Sequence, residues 1–211
     1  KRAFIINFLR KKSLTRRTIL LLLLNASFVN QIKATSSICK KTPSQSKGPF
    51  YKLPSKIFNN DMTNNGKAIG KRIKVYGKII DNKCKPIKNA VLDIWQANSF
   101  GKYNHQADLS ESRKDNDFYG YMRLLSNEKG EYSFNTILPG SYKVSKDLTR
   151  TPHIHFKITN NQKQLTTQMY FKGNKMNKKD FLFKNTNNNS VLEATIDKSF
   201  SKLTYKFDIL I

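Results

Sequence analysis

The sequence predicts an all-β chain, an antiparallel sandwich or barrel of short strands, and three observations carry that expectation. After residue 45 no stretch keeps a helical period over three turns. Short runs rich in β-branched and aromatic residues recur instead, separated by turn-forming residues. Within several runs apolar and polar residues alternate, as they do in strands with one buried face. With 211 residues and 24.4 kDa, 38% apolar and 25% charged, the chain can bury one core of ordinary size.

Taken in order, Arg72–Ile80 is the first strand, closed by the turn residues Asp81-Asn82. Ala90–Gln96 and Tyr119–Leu125 follow. The turn Asn127-Glu128-Lys129-Gly130 leads into Glu131–Thr136, where Tyr132 and Phe134 alternate with polar neighbours. Pro139-Gly140 makes another turn. His153–Ile158 alternates strictly, and Leu165–Phe171 comes after Asn160-Asn161. Asn185–Ser190 is polar and loop-like. Leu203–Ile211 closes the chain, with Tyr205, Phe207, Ile209 and Ile211 on one face. No internal repeat or second-domain boundary interrupts residues 42–211, which form one predicted domain.

Residues 1–41 differ in kind. They hold ten Lys or Arg and no acid, the first acid being Asp61. Thr15-Arg16-Arg17-Thr18 precedes the apolar run Ile19–Leu24, and small polar residues follow. That order is the layout of an export signal, and the paired arginines suggest the twin-arginine route, with transient membrane or translocon contact. A periplasmic or cell-surface location follows as the expectation, with cytoplasmic residence left open. Cys39 and Cys84 are the whole thiol inventory. They could pair, remain free, or, at Cys39, carry a lipid, and spacing does not choose among these.

The 39 cations against 14 acids give a formal net charge of +25. That balance excludes an acidic solvating chain and raises polyanion or membrane-surface binding as a reading. However, 31 of the 39 are Lys, spread along the chain instead of clustered among aromatics, so no specific nucleic-acid partner is expected.

The chemistry concentrates in Arg150-Thr151-Pro152-His153-Ile154-His155-Phe156. Alternation puts His153 and His155 on one strand face, where both imidazoles can reach one metal ion, and turns Ile154 and Phe156 toward the core. They are two of only three histidines. Two tyrosines stand in loop contexts, Tyr103 in Gly101-Lys102-Tyr103-Asn104-His105 and Tyr142 in Leu138-Pro139-Gly140-Ser141-Tyr142. A phenolate is a hard anionic donor that needs a strong Lewis acid to ionise near neutral pH. Spacing alone does not make either one a ligand. Trp95 reads as core, and His105 as either a support for Tyr103 or a solvated loop residue.

The ordered set Val91–Asn98, Gly101–Tyr103, Gly130–Phe134, Pro139–Tyr142 and Arg150–Phe156, flanked by Gly48-Pro49-Phe50-Tyr51 and Thr167-Gln168-Met169-Tyr170-Phe171, resembles the intradiol ring-cleavage dioxygenases. The resemblance implies an antiparallel β-sandwich with long active-site loops and a mononuclear non-haem Fe(III) held by Tyr103, Tyr142, His153 and His155. It implies a catechol-type substrate, opened by O2 between its two hydroxyl-bearing carbons to a muconate-type dicarboxylate. Tyr142 would leave the metal as substrate binds, Arg150 would stabilise charge on the ring, and Gln168 would orient Arg150. Self-association into a homo-oligomer is a further expectation of the resemblance. Lys47, Asn104 and Lys143-Val144 depart from the family pattern around the substrate pocket. A non-catalytic ligand- or protein-binding module on the same scaffold is the alternative reading.

Overall fold

The computed structural model describes residues 39–52, 60–161 and 163–211; the expected export signal lies outside them. The described chain is mostly strand with very little helix. β1 (Arg72–Ile80), β2 (Val91–Trp95), β3 (Tyr121–Leu125) and β4 (Glu131–Ile137) occupy the first half. The short β5 (Tyr142–Lys143) and β6 (Thr149–Arg150) form a hairpin of their own, followed by the long pair β7 (His153–Asn160) and β8 (Lys163–Phe171). A single turn of helix, α1 (Phe181–Lys184), precedes β9 (Glu193–Asp197), β10 (Thr204–Lys206) and β11 (Ile209–Leu210).

The hydrogen-bonded path runs β11-β1-β10-β9-β8-β7-β2-β3, with β4 attached to β1. Most neighbours are antiparallel, as expected, but β1 pairs in parallel with both β10 and β11, and β8 in parallel with β9. The purely antiparallel expectation is corrected here: alternation reports which face a residue takes and is blind to strand direction. The expected closing strand Leu203–Ile211 is also divided. At Phe207-Asp208 the chain steps along β1, with the Phe207 amide donating to the Tyr76 carbonyl at 2.8 Å and the Lys78 amide to the Asp208 carboxylate at 2.9 Å. Gly77 permits this step, because a Cβ there would lie 1.8 Å from the Phe207 carbonyl oxygen.

The core lies where apolar faces of distant strands meet. Phe156 of β7 packs 6.1 Å, centroid to centroid, from Phe134 of β4 and 5.5 Å from Phe207. Val75, Ile79, Leu92, Ile94, Met122 and Ile154 are wholly buried around them. β7 is buried on both faces: Ile154 and Phe156 point into this core, and His153 and His155 into a second buried region.

A strap ahead of β1 closes that second region. The Thr42 amide donates to the Leu210 carbonyl at 3.4 Å and the Leu210 amide to the Thr42 hydroxyl at 2.9 Å, Thr167 Oγ1 donates to the Pro43 carbonyl at 2.8 Å, and Gln168 Nε2 donates to the Ser46 carbonyl at 2.9 Å. Upstream, Cys39 and Cys84 form a disulfide with Cα atoms 5.8 Å apart, which settles the alternatives left open by spacing.

Candidate active site

The sheet sets one half of the site. The β7–β8 register places Gln168 opposite His155 and Tyr170 opposite His153, while β2 places Trp95 on the other side of His155. The Trp95 indole stacks on the His155 ring at 4.7 Å with the planes 8° apart. Trp95, expected to be core, is therefore also the wall that fixes a site histidine. His153 Nδ1 lies 2.6 Å from the Thr151 carbonyl. A carbonyl only accepts, so Nδ1 carries the proton and Nε2 presents a lone pair. That Nε2 faces His155 Nε2 at 3.1 Å and the Tyr103 hydroxyl at 3.4 Å.

The other half comes from loops. Asn98 organises the first by accepting from the Phe100 and Lys102 amides at 2.9 and 3.0 Å. The buried Lys102 ammonium binds Asp108 and the Ser110 carbonyl, and Asp108 accepts from the Tyr103 amide at 2.7 Å. The second loop touches the first backbone to backbone. Gly101, at φ +80°, would put a Cβ 2.3 Å from the Ser141 carbonyl oxygen, and a Cβ on Gly140 would lie 2.5 Å from the Ser99 carbonyl oxygen. Two glycines thus let two loops close on each other and bring their tyrosines together. Phe50 of the strap stacks on Tyr103 at 4.5 Å. His105 is placed by its own loop, where its Nδ1 accepts from the Ala107 amide at 3.0 Å.

The four expected ligands converge. Ring centroids are 5.4 Å apart for Tyr103–Tyr142, 5.7 Å for Tyr142–His153, 4.8 Å for His153–His155 and 6.2 Å for Tyr103–His155. Burial holds both imidazoles well below the usual histidine range, helped at His153 by nearby Arg150 and at His155 by His153 and then Arg150, so both are neutral. Burial also pushes both phenols up, Tyr103 further with Tyr142 beside it, while Arg150 pulls against the shift at Tyr142. Among the described residues no three His, Cys, Asp or Glu side chains gather, so the oxygen donors here are phenols. Neutral imidazoles with an unshared lone pair, and phenols that only a strongly charged cation would ionise, are a donor set suited to a trivalent metal.

Arg150 is buried beside this cluster and tied on several sides. Its Nε donates to Asp180 at 2.8 Å, and its Nη2 donates to Gln168 Oε1 at 2.5 Å and to the Tyr170 hydroxyl at 3.2 Å. Asp180 is wholly buried; its second oxygen caps α1 by accepting from the Leu182 and Phe183 amides at 3.0 and 3.1 Å. Burial opposes the Arg150 charge, but Tyr170, Asp180 and Tyr142 overcome it and raise its pKa. Sequence reasoning passed over Asp180 and Tyr170. Tyr170 shares a strand face with Gln168, so the same alternation that paired the histidines points to it. Asp180 before Phe-Leu-Phe carries a helix-cap signature, but nothing local announces its arginine partner.

A cavity of about 870 Å³ opens onto the cluster, with Tyr142, Arg150, His155 and Gln168 at its floor and the strap residues Ser46–Phe50 along one wall.

A dioxygenase family model (Dioxygenase_C) matches residues 46–211. The protocatechuate 3,4-dioxygenase beta chain of Burkholderia cepacia is 34% identical over 162 residues, 70% of this chain and 67% of its own length. A catechol 1,2-dioxygenase of Candida albicans is 30% identical over 160 residues, 68% of this chain; the match spans about half, 52%, of that relative. Among solved structures, an intradiol ring-cleavage dioxygenase from Tetranychus urticae superposes with a TM-score of 0.68 at 25% identity, covering 82% of this chain and 95% of that one. The dioxygenase domain of a dioxygenase carbohydrate-binding protein fusion from Streptomyces sp. SirexAA-E gives 0.65 at 26% identity, covering 82% and 98%. With the site geometry, these matches place the chain in the intradiol ring-cleavage dioxygenase family, whose members are oxidoreductases.

Proposed function

We propose that the chain is a non-haem Fe(III) intradiol dioxygenase acting on a catechol-type substrate. The convergence of Tyr103, Tyr142, His153 and His155 on one buried point carries the reading. These four would hold the ion. When bound, ferric iron would supply the Lewis acidity that keeps phenolates and a catecholate ionised and would draw electron density from the ring, opening it to O2. The Tyr142 phenolate oxygen, beside Arg150 at the cavity floor, would take a proton from the incoming catechol hydroxyl. Arg150 stays cationic and immobile, held by Asp180, Gln168 and Tyr170, and aims its charge at oxygens that gain electron density as the ring opens. The bond between the hydroxyl-bearing carbons breaks and both atoms of O2 enter. Each carbon becomes a carboxyl group, and no further reductant is needed.

The facing apolar layers around Phe134 and Phe156 support the sandwich reading of the fold. The Cys39–Cys84 disulfide supports an oxidising compartment and hence export.

The test is a visible spectrum of iron-loaded protein with and without anaerobic catechol, followed by an oxygen-uptake assay. A tyrosinate-to-iron band that shifts with catechol, disappears in Tyr103→Phe, and accompanies ring opening is the expected result. A protein that binds no ferric iron and opens no catechol overturns the reading and leaves a non-catalytic binding module.

A further inference from the structure

We propose that this pocket accepts a catechol bearing an apolar extension, with Leu109 and Val144 as the specificity-determining residues at its mouth. The inference rests on the function proposed above and adds the shape of the substrate. The cavity's 870 Å³ lies in the upper part of the range, about 300–1,000 Å³, that encloses drug-sized ligands. A single dihydroxylated ring placed against Tyr142 and Arg150 fills only its floor.

Outward from the floor, Phe181, Leu182, Leu109 and Val144 supply apolar surface among serines and a few charged side chains. Phe181 lies under the Arg150 guanidinium, 5.7 Å from ring centre to Cζ, and Leu182 continues that wall. At the mouth Leu109 is 89% exposed and Val144 is 55% exposed. Single exposed apolar side chains are ordinary on a protein surface, but these two line one cavity that ends in a reactive centre. Val144 belongs to the tip of the β5–β6 hairpin, where its amide donates to the Leu148 carbonyl at 2.8 Å, and Leu148 is itself 43% exposed. The hairpin that carries Tyr142 and Arg150 thus also carries the apolar lip.

The charges in the lining are of mixed sign, and several are already engaged. Lys47 sets its ammonium over the Tyr51 ring at 5.0 Å, and Asp108 is occupied by Lys102 and the Tyr103 amide. Lys143 and Glu111, of opposite sign, remain at the rim. An apolar group on the ring would cover Leu109 and Val144 and gain the burial they lack in the free protein.

The experiment compares catechol, 4-phenylcatechol and protocatechuate as substrates, and the uncleavable phenol and 4-phenylphenol by titration calorimetry. We expect kcat/KM for 4-phenylcatechol to exceed that for catechol by about tenfold or more, with 4-phenylphenol binding tighter than phenol by a similar factor. Leu109→Ser and Val144→Ser, both at exposed positions that tolerate polarity, should each cut these ratios by about threefold or more. Catechol or protocatechuate turned over as well as the phenyl compound, or ratios untouched by both variants, overturns the proposal while leaving ring cleavage in place. If no catechol is opened, the proposed function fails instead. The calorimetric ratio and its response to the two variants then decide the pocket assignment alone.

Discussion

The histidine half and the tyrosine half of the site reach one point by opposite means. His153 and His155 belong to an eight-residue strand bonded along its length to β8 and flanked by β2, so the sheet positions them before any side chain takes part. Tyr103 lies in a loop and Tyr142 in a two-residue strand, and neither is held by an extended ladder. They depend on props: the Gly101–Gly140 contact, the Lys102–Asp108 pair and the stacked Phe50. The difference teaches that the imidazoles are preorganised by secondary structure and the phenols by a few local contacts that can be removed one at a time.

The largest effect should come from the anchor of Arg150, which shares the β5–β6 hairpin with Tyr142. Asp180→Ala leaves the Arg150 charge buried and unpaired and removes the α1 cap, at a cost of about 3–5 kcal/mol. Urea unfolding measures it. A loss under ~1 kcal/mol would show that Arg150 finds another partner and that the hairpin carrying Tyr142 does not depend on this prop.

Gly101→Ala drives a methyl group into the Ser141 carbonyl and demands a backbone conformation alanine avoids, costing about 2–3 kcal/mol. Amide hydrogen exchange should speed up across residues 98–105 while β7 stays protected. Equal loss of protection in β7 would break the contrast between the halves. The smallest change, Phe50→Leu, keeps the wall apolar and removes the ring stack from Tyr103, worth about 1 kcal/mol. It sharpens the comparison if unfolding stability falls by no more than this while ferric iron affinity weakens. Unchanged affinity would mean that Phe50 is packing alone.

The same contrast explains what could be read from the sequence. β1 was legible to the residue because Arg72–Ile80 is long, β-branched and bounded by a turn. The histidine pair was legible from strict alternation. Tyr103 and Tyr142 were singled out by motif order alone, since loops have no period, and the glycines that join them meet across 39 residues of chain. β9 escaped because only Ala194 of Glu-Ala-Thr-Ile-Asp is buried, leaving no apolar rhythm to detect. The parallel pairings escaped because facing direction and chain direction are independent.

Those parallel pairings also bear on when the molecule can exist during its own synthesis. Lys74 of β1 lies opposite Thr204 of β10, 130 positions further along the chain, and Ile80 lies opposite Leu210. At about 5–20 residues per second, β1 waits on the order of ten seconds for these neighbours to be made. Through that interval one edge of β1 stays open, and the strap cannot seat Thr42 against Leu210. The nascent chain therefore completes this fold only after residues 204–210 leave the ribosome, and the strap wall of the pocket closes after the strands beneath it.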